Sequence, residues 1–110
     1  MSTVATITKY SPEEIVVTTQ SSKIFNIDII EDNKNSFHSE VLEVDTSYLH
    51  DKVSESATAN ECFRNTIKWI NDTINNDTII EINHSVASIL ISTKDIQKIL
   101  DDLKINISIE

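Results

Sequence analysis

Apolar residues recur at three- and four-residue spacing in two segments, which predicts two amphipathic helices. The first helix is expected at about residues 57–75, where the recurring apolar positions are Ala59, Phe63, Ile67, Ile70 and Ile74. The second is expected at about residues 94–103, where they are Ile96, Ile99, Leu100 and Leu103. Ser56 is the candidate N-cap of the first helix, and either Ser92 or Thr93 is that of the second.

Apolar–polar alternation and β-branched runs predict strands over most of the remaining chain. The segments with this character are residues 3–9, 15–19, 23–30, 40–45, 78–82, 86–92 and 104–110. Residues 31–39 are expected to form a polar loop. Residues 47–56 fit either a linker or a short helix. We therefore expect one α+β domain over residues 1–110, with a mostly antiparallel sheet of five to seven strands packed by two helices.

Carboxylates are concentrated in one part of the chain. Nine of the eighteen acidic residues, but only two of the nine basic ones, lie between Asn26 and Glu61, so this segment carries −7 of the formal net charge of −9. Charge confined in this way favours a basic protein partner, and it argues against direct binding of nucleic acid or an anionic membrane.

Pairing of neighbouring strands would bring several of these carboxylates together. If residues 40–45 pair beside residues 23–30, we expect Asp28, Glu43 and Asp45 to share one outer face of the sheet. A cationic partner would relieve their repulsion, although a solvated sheet face is the alternative interpretation. The candidate partner-binding residues are Asp28, Glu31, Asp32, Glu40, Glu43, Asp45, Asp51, Glu55 and Trp69.

Two further features suggest contact surfaces. Trp69 lies at the edge of the apolar stripe of the first helix, where a tryptophan either closes the rim of a core or anchors an interface. Residues 104–110 alternate strictly, so they are expected to form a sheet edge through which two copies of the chain could dimerise.

The composition offers no recognisable catalytic or cofactor-binding pattern. The chain has no glycine, which excludes phosphate-binding loops, dinucleotide fingerprints and nucleophile elbows of the familiar kinds. His38, His50 and His84 are isolated in sequence and lack metal-ligand spacing. Cys62 lies on the apolar face of the first helix, where core packing is expected. We therefore predict no catalytic residues, no metal site and no cofactor.

The remaining sequence features favour a cytoplasmic binding protein. One cysteine cannot form an intramolecular disulfide, and the N-terminus has no signal-peptide pattern. We expect a non-enzymatic inhibitor or immunity-type protein that neutralises a basic partner, such as a nuclease toxin or another nucleic-acid-processing enzyme. The alternative is a phage or virus structural or assembly protein, or an acidic dimeric secretion chaperone. The Ile- and Asn-rich composition fits an A+T-rich source such as a phage or mobile element.

Overall fold

Five antiparallel strands and two helices form the described part of the chain. The computed structural model describes residues 13–74, 77–84 and 91–107. In chain order, the elements are β1 (Glu13–Thr19), β2 (Ile24–Asn33), β3 (Ser36–Glu43), β4 (Tyr48–Ser56), α1 (Ala59–Thr73), β5 (Ile79–His84) and α2 (Thr93–Asp102). The strand order is β4-β3-β2-β1-β5, and every pairing is antiparallel. The predicted α+β architecture is confirmed.

The core lies between the sheet and the two helices. Phe25, Ile27 and Ile29 alternate along β2, and all three are buried in one apolar cluster. The apolar stripe of α1 belongs to the same cluster, with Phe63 and Ile67 fully buried. Aliphatic side chains therefore form most of the core, as the isoleucine-rich sequence predicts. Neither of the two described helices is long and apolar enough to cross a bilayer.

Side-chain caps fix where the helices begin. Thr58 caps α1, because its hydroxyl accepts a hydrogen bond from the backbone N–H of Glu61 at 3.1 Å. The predicted cap at Ser56 is wrong, since β4 extends through that residue. Ser92 caps α2 by accepting from the N–H of Asp95 at 3.0 Å, which confirms one of the two candidates.

The predicted polar loop at residues 31–39 is wrong, because these residues form a β-hairpin. Strand β2 continues to Asn33, and β3 begins at Ser36. Polar residues at inward positions hide this strand in the sequence. Ser39 is fully buried on the face towards α1, where the Thr66 hydroxyl donates to its oxygen at 2.6 Å. Strand β3 also ends at Glu43, two residues earlier than expected.

Residues 47–56 form neither a linker nor a helix, since Tyr48–Ser56 is the edge strand β4. The register shifts between the pairs Ser39–Ser54 and Val41–His50, and Lys52 in the resulting bulge of β4 adopts a positive φ of 52°. Such a bulge adds residues to one strand and interrupts the alternation of its side chains. The segment therefore lacks the period-two pattern by which a strand is recognised.

The predicted strand at residues 104–110 is absent from its described part. Residues 104–107 form a turn and irregular backbone that close the C-terminus of α2. Lys104 has a φ of 62° and donates its N–H to the carbonyl of Asp101, while Ile105 donates to that of Leu100. This is the Schellman arrangement, and it uses the buried Ile105 as its apolar contact. Predicted strand residues 3–9, 86–90 and 108–110 lie outside the described residues.

Asp77 connects the start of β5 to the turn between β1 and β2. Its carboxylate accepts hydrogen bonds from the hydroxyl and N–H of Ser21 and from the N–H of Thr78. These hydrogen bonds, that of the Ser21 hydroxyl above all, lower the pKa of Asp77 to about 2. Because the folded pKa is depressed, the carboxylate stabilises the fold above its unfolded pKa of about 3.9. That stabilisation is lost as the pH falls towards 2.

We therefore expect Asp77→Asn to lower the free energy of unfolding at pH 7 and to weaken its dependence on pH below about 4. Urea denaturation at a series of pH values measures both effects. Asp72→Asn, on the exposed face of α1, is the matched control. Equal acid sensitivity of the two variants would contradict this role of Asp77.

Candidate functional site

The strand register places the predicted acidic residues on two different faces of the sheet. Phe25 pairs with Glu43, and Asp28 pairs with Glu40. Directly opposite residues project to the same face, so Glu43 shares the core-facing side with buried Phe25. Asp28 and Glu40 project from the outer side. The prediction that Asp28, Glu43 and Asp45 share one outer face is therefore wrong for Glu43, while Asp45 lies in the turn after β3.

The error comes from the apparent alternation of β3. Leu42 and Val44 are the apolar residues next to Glu43 and Asp45, so the sequence predicts that they face the core. Instead, Ser39 and Val41 are the buried residues on the core-facing side of this strand. Leu42 consequently projects outward, and the more polar Glu43 projects towards α1.

A histidine lies at the centre of the outer acidic group. We define the His38 cluster as His38, Asp32, Glu40 and Asp51. His38 is only 9% exposed, and its Nδ1 lies 2.9 and 2.8 Å from the two carboxylate oxygens of Asp32. Its Nε2 lies 3.7 Å from Oε2 of Glu40. The side chains of His38, Glu40 and Asp51 offer ligand atoms that are all within 4.8 Å of one another.

Glu40 lies in an unfavourable environment for a negative charge. Partial burial raises the pKa of its carboxyl group, and the hydrogen bond and negative charge of Asp51 raise it further, against the opposing effect of His38. A proton or a cation is therefore favoured between Glu40 and Asp51. Asp28, opposite Glu40, and Glu55, opposite His38, flank the cluster.

A second group of side chains lies on the helix-facing side of the β3–β4 hairpin. The ring of His50 packs edge-on between those of Tyr48 and Trp69, with centroid distances of 4.5 and 4.8 Å. His50 Nε2 also forms a hydrogen bond with the Glu43 carboxylate. Trp69 is half-buried and packs against the core cluster, which confirms its predicted place at the core rim. Its role as an interface anchor stays a prediction.

Exposed apolar side chains are concentrated in the same hairpin. Among the described residues, the exposed large hydrophobic ones are Val44, Tyr48, Leu49 and Ile80. Three of these four lie within six residues of sequence, together with the exposed Asp45, while the exposed Glu55 lies farther along β4, opposite His38. We define the β4 surface as Val44, Asp45, Tyr48, Leu49 and Glu55.

The remaining predicted acid lies apart from these groups. Glu31 is exposed near the β2–β3 turn, opposite Phe37. It belongs neither to the His38 cluster nor to the β4 surface. The nine predicted residues therefore do not form one continuous site. Five of them belong to the His38 cluster or the β4 surface, and two more, Asp28 and Glu43, directly border these groups.

Sequence reasoning missed both histidines as members of side-chain clusters. His38 and Asp32 are six residues apart, and His50 and Glu43 are seven apart, so only the hairpins bring them together. The spacing of His38 and Glu40 is a usable signal, because residues at i and i+2 of a strand project to the same face.

Cys62 has the environment of a core residue. It is fully buried, and its thiol lies 3.6 Å from the carbonyl oxygen of Ser54. Burial raises the pKa of the thiol, so the neutral form is favoured. The predicted core packing of Cys62 is confirmed.

Comparison of the chain with protein-family models, with characterised proteins and with solved structures found no match. A functional assignment therefore depends on the geometry of the His38 cluster and the β4 surface.

Proposed function

We propose that the protein is a non-enzymatic inhibitor or immunity-type protein that binds a basic protein partner through the β4 surface. A nuclease toxin or another nucleic-acid-processing enzyme is the class of partner that fits this charge. The observation that carries the proposal is the grouping of Val44, Tyr48 and Leu49 with Asp45 at one sheet edge, with Glu55 farther along the same strand. A cytoplasmic location, suggested by the sequence, is part of the same proposal.

The apolar residues of the β4 surface supply the expected centre of an interface. Tyr48 is 59% exposed and Leu49 is 50% exposed, so a partner can remove considerable apolar area from water. Interfaces typically combine such a centre with a polar rim, and tyrosine is frequent among their energetically important residues. The Tyr48 ring packs against His50, and His50 packs against Trp69. Because Trp69 packs against the core, these contacts hold the position of Tyr48.

The carboxylates at the rim supply the selectivity for a basic partner. Asp45 and Glu55 lie on the β4 surface, and Asp51 lies between them in sequence. Lys52 forms an ion pair with Glu55 at 3.6 Å, but one lysine leaves the region negative. A surface of this charge accelerates encounter with a cationic protein and disfavours nucleic acid or an anionic membrane.

The edge position of β4 favours one alternative function. An exposed edge strand can pair with the same strand of a second copy, as expected of an assembly protein or a dimeric secretion chaperone. Apolar and backbone contacts would dominate such an association, so it should depend little on salt. In this alternative, the predicted homodimer forms through the edge strand β4 instead of through residues 104–110.

Affinity capture with an elution gradient separates these functions. The tagged chain is incubated with lysate of its own source, and retained proteins are eluted with rising salt and identified by mass spectrometry. We expect one basic protein to elute as the salt concentration rises, and the purified pair to bind at low salt in a 1:1 complex. Retention of only the chain itself, insensitive to salt, would support the assembly function and contradict the inhibitor proposal.

A further inference from the structure

We propose that His38, Glu40 and Asp51 form a binding site for a divalent transition-metal ion, with Asp32 orienting the histidine ring. Neither the proposed partner binding nor the sequence pattern requires such a site. It lies on the outer face of β3 and in the bulge of β4, and none of its ligands belongs to the β4 surface, which borders the site at Glu55. The inference therefore stands or fails independently of the proposed function.

A hydrogen bond to Asp32 orients the His38 ring. Carboxylate oxygens only accept hydrogen bonds, so Nδ1 carries a proton and donates to Asp32 at 2.8–2.9 Å. In the neutral ring, the lone pair is then on Nε2, which faces Glu40. A carboxylate that holds the far nitrogen of a ligating histidine is the usual outer contact of protein metal sites.

The His38 imidazole is also buried. His38 is nine-tenths buried, so its Nε2 has little access to bulk water. The separation of 3.7 Å between Nε2 and the Glu40 oxygen is longer than a hydrogen bond. This nitrogen is consequently buried beside two carboxylates without a close hydrogen bond to Glu40, and a cation between them would satisfy all three groups.

The separations also suit coordination by a small cation. Ligands at about 2.0–2.2 Å from a tetrahedral zinc ion lie about 3.3–3.6 Å from one another. The pair of Nε2 and Glu40 is already near this separation, and all three ligand atoms lie within 4.8 Å. Asp51 is exposed on the bulged strand, so rotation of its side chain can close the remaining gap.

The ligand types indicate the class of metal. One imidazole nitrogen with two carboxylates fits borderline ions such as Zn²⁺, because Ca²⁺ and Mg²⁺ prefer oxygen ligands throughout. Three protein ligands leave a fourth tetrahedral position for water. The carboxylates of Asp28 and Glu55 flank the site, and Glu55 also forms an ion pair with Lys52.

Isothermal titration of the full chain with Zn²⁺ tests the site. We expect one ion per chain, and a melting temperature that rises with Zn²⁺ concentration because only the folded chain holds the three ligands together. Replacement of a ligand, as in His38→Gln or Glu40→Gln, should weaken binding at least about 100-fold. Asp32→Asn should weaken it about 10–100-fold, the usual effect of removing an outer partner.

Glu81→Gln is the matched control for Glu40→Gln. Glu81 is an exposed glutamate of β5, so this variant removes the same charge at a distance from the cluster and should bind Zn²⁺ as the parent does. Glu40→Gln removes a carboxylate from beside Asp51, so it should not lower the melting temperature of the metal-free chain. Loss of Zn²⁺ affinity in this variant can then be attributed to the lost ligand and not to misfolding.

Three results would overturn the proposal. One is failure of the folded parent chain to bind Zn²⁺. Another is equal loss of affinity in Glu40→Gln and Glu81→Gln, which would indicate general attraction to an acidic surface. The third is binding of Ca²⁺ as tight as that of Zn²⁺, which would exclude a role for the His38 nitrogen.

Discussion

Reversal of two charges on the β4 surface, in the double variant Asp45→Lys/Glu55→Lys, is expected to slow association with the basic partner at least about tenfold. Electrostatic steering changes association rates by about 10–1,000-fold, and this variant replaces two attractive charges with two repulsive ones. Both side chains are exposed, so the free energy of unfolding should change little. The association rate is measured by stopped-flow fluorescence at low and high salt.

The matched control reverses two carboxylates on the helices, in Asp72→Lys/Asp101→Lys. Both are exposed, and the net charge of this variant equals that of the β4 variant. If overall charge alone attracts the partner, both variants will associate equally slowly. If the β4 surface is the binding surface, the β4 variant will be several-fold slower than the control, and the difference will shrink as salt screens the charges.

Truncation of Leu100 to alanine is expected to lower the free energy of unfolding by about 2–5 kcal/mol, the usual range for a buried leucine. Leu100 is fully buried where α2 meets the core. Removal of its side chain loses apolar burial and leaves a cavity that the packed surroundings fill only in part.

Leu49→Ala makes the same chemical change on the β4 surface. Because Leu49 is half-exposed, we expect its free energy of unfolding to fall by about 0.5 kcal/mol or less, while the affinity for the partner decreases. Urea denaturation measures both stabilities. A destabilisation of Leu49→Ala as large as that of Leu100→Ala would mean that Leu49 belongs to the core and is not free to bind a partner.

The helices could be predicted from the sequence because their pattern is local. The apolar residues of α1 recur over four turns, and Ser92 directly precedes α2, whose apolar stripe begins one turn later. Strand β2 could be predicted for the same reason, since its buried residues alternate without interruption. The α+β class and the antiparallel sheet follow from these elements.

Strands β3 and β4 could not be predicted in full because tertiary contacts override their patterns. Buried Ser39 on β3 is acceptable only because Thr66 of α1 hydrogen-bonds to it. The bulge in β4 adopts a left-handed conformation at Lys52, a residue that does not indicate a turn. The chain has no glycine to mark such positions, so lysine and serine occupy them without a sequence signal.

The candidate sites depend on strand register, which one sequence does not specify. The acidic segment correctly indicates where charge is concentrated, but a shift of one residue moves every side chain of a strand to the other face. Glu43 therefore lies beside His50, and Glu40 lies beside His38. The first contact lies on the helix-facing side of the sheet and the second on the outer side, and neither can be predicted from the charge count.

Binding of the partner to the β4 surface is tested by mapping the bound partner on the ¹⁵N-labelled chain by nuclear magnetic resonance. On addition of the captured basic protein, we expect the largest chemical-shift changes at the β4 surface, with smaller changes on the exposed faces of α1 and α2. The largest changes on the helices, with the signals of Asp45, Tyr48 and Glu55 unchanged, would contradict the proposal that the β4 surface binds the partner.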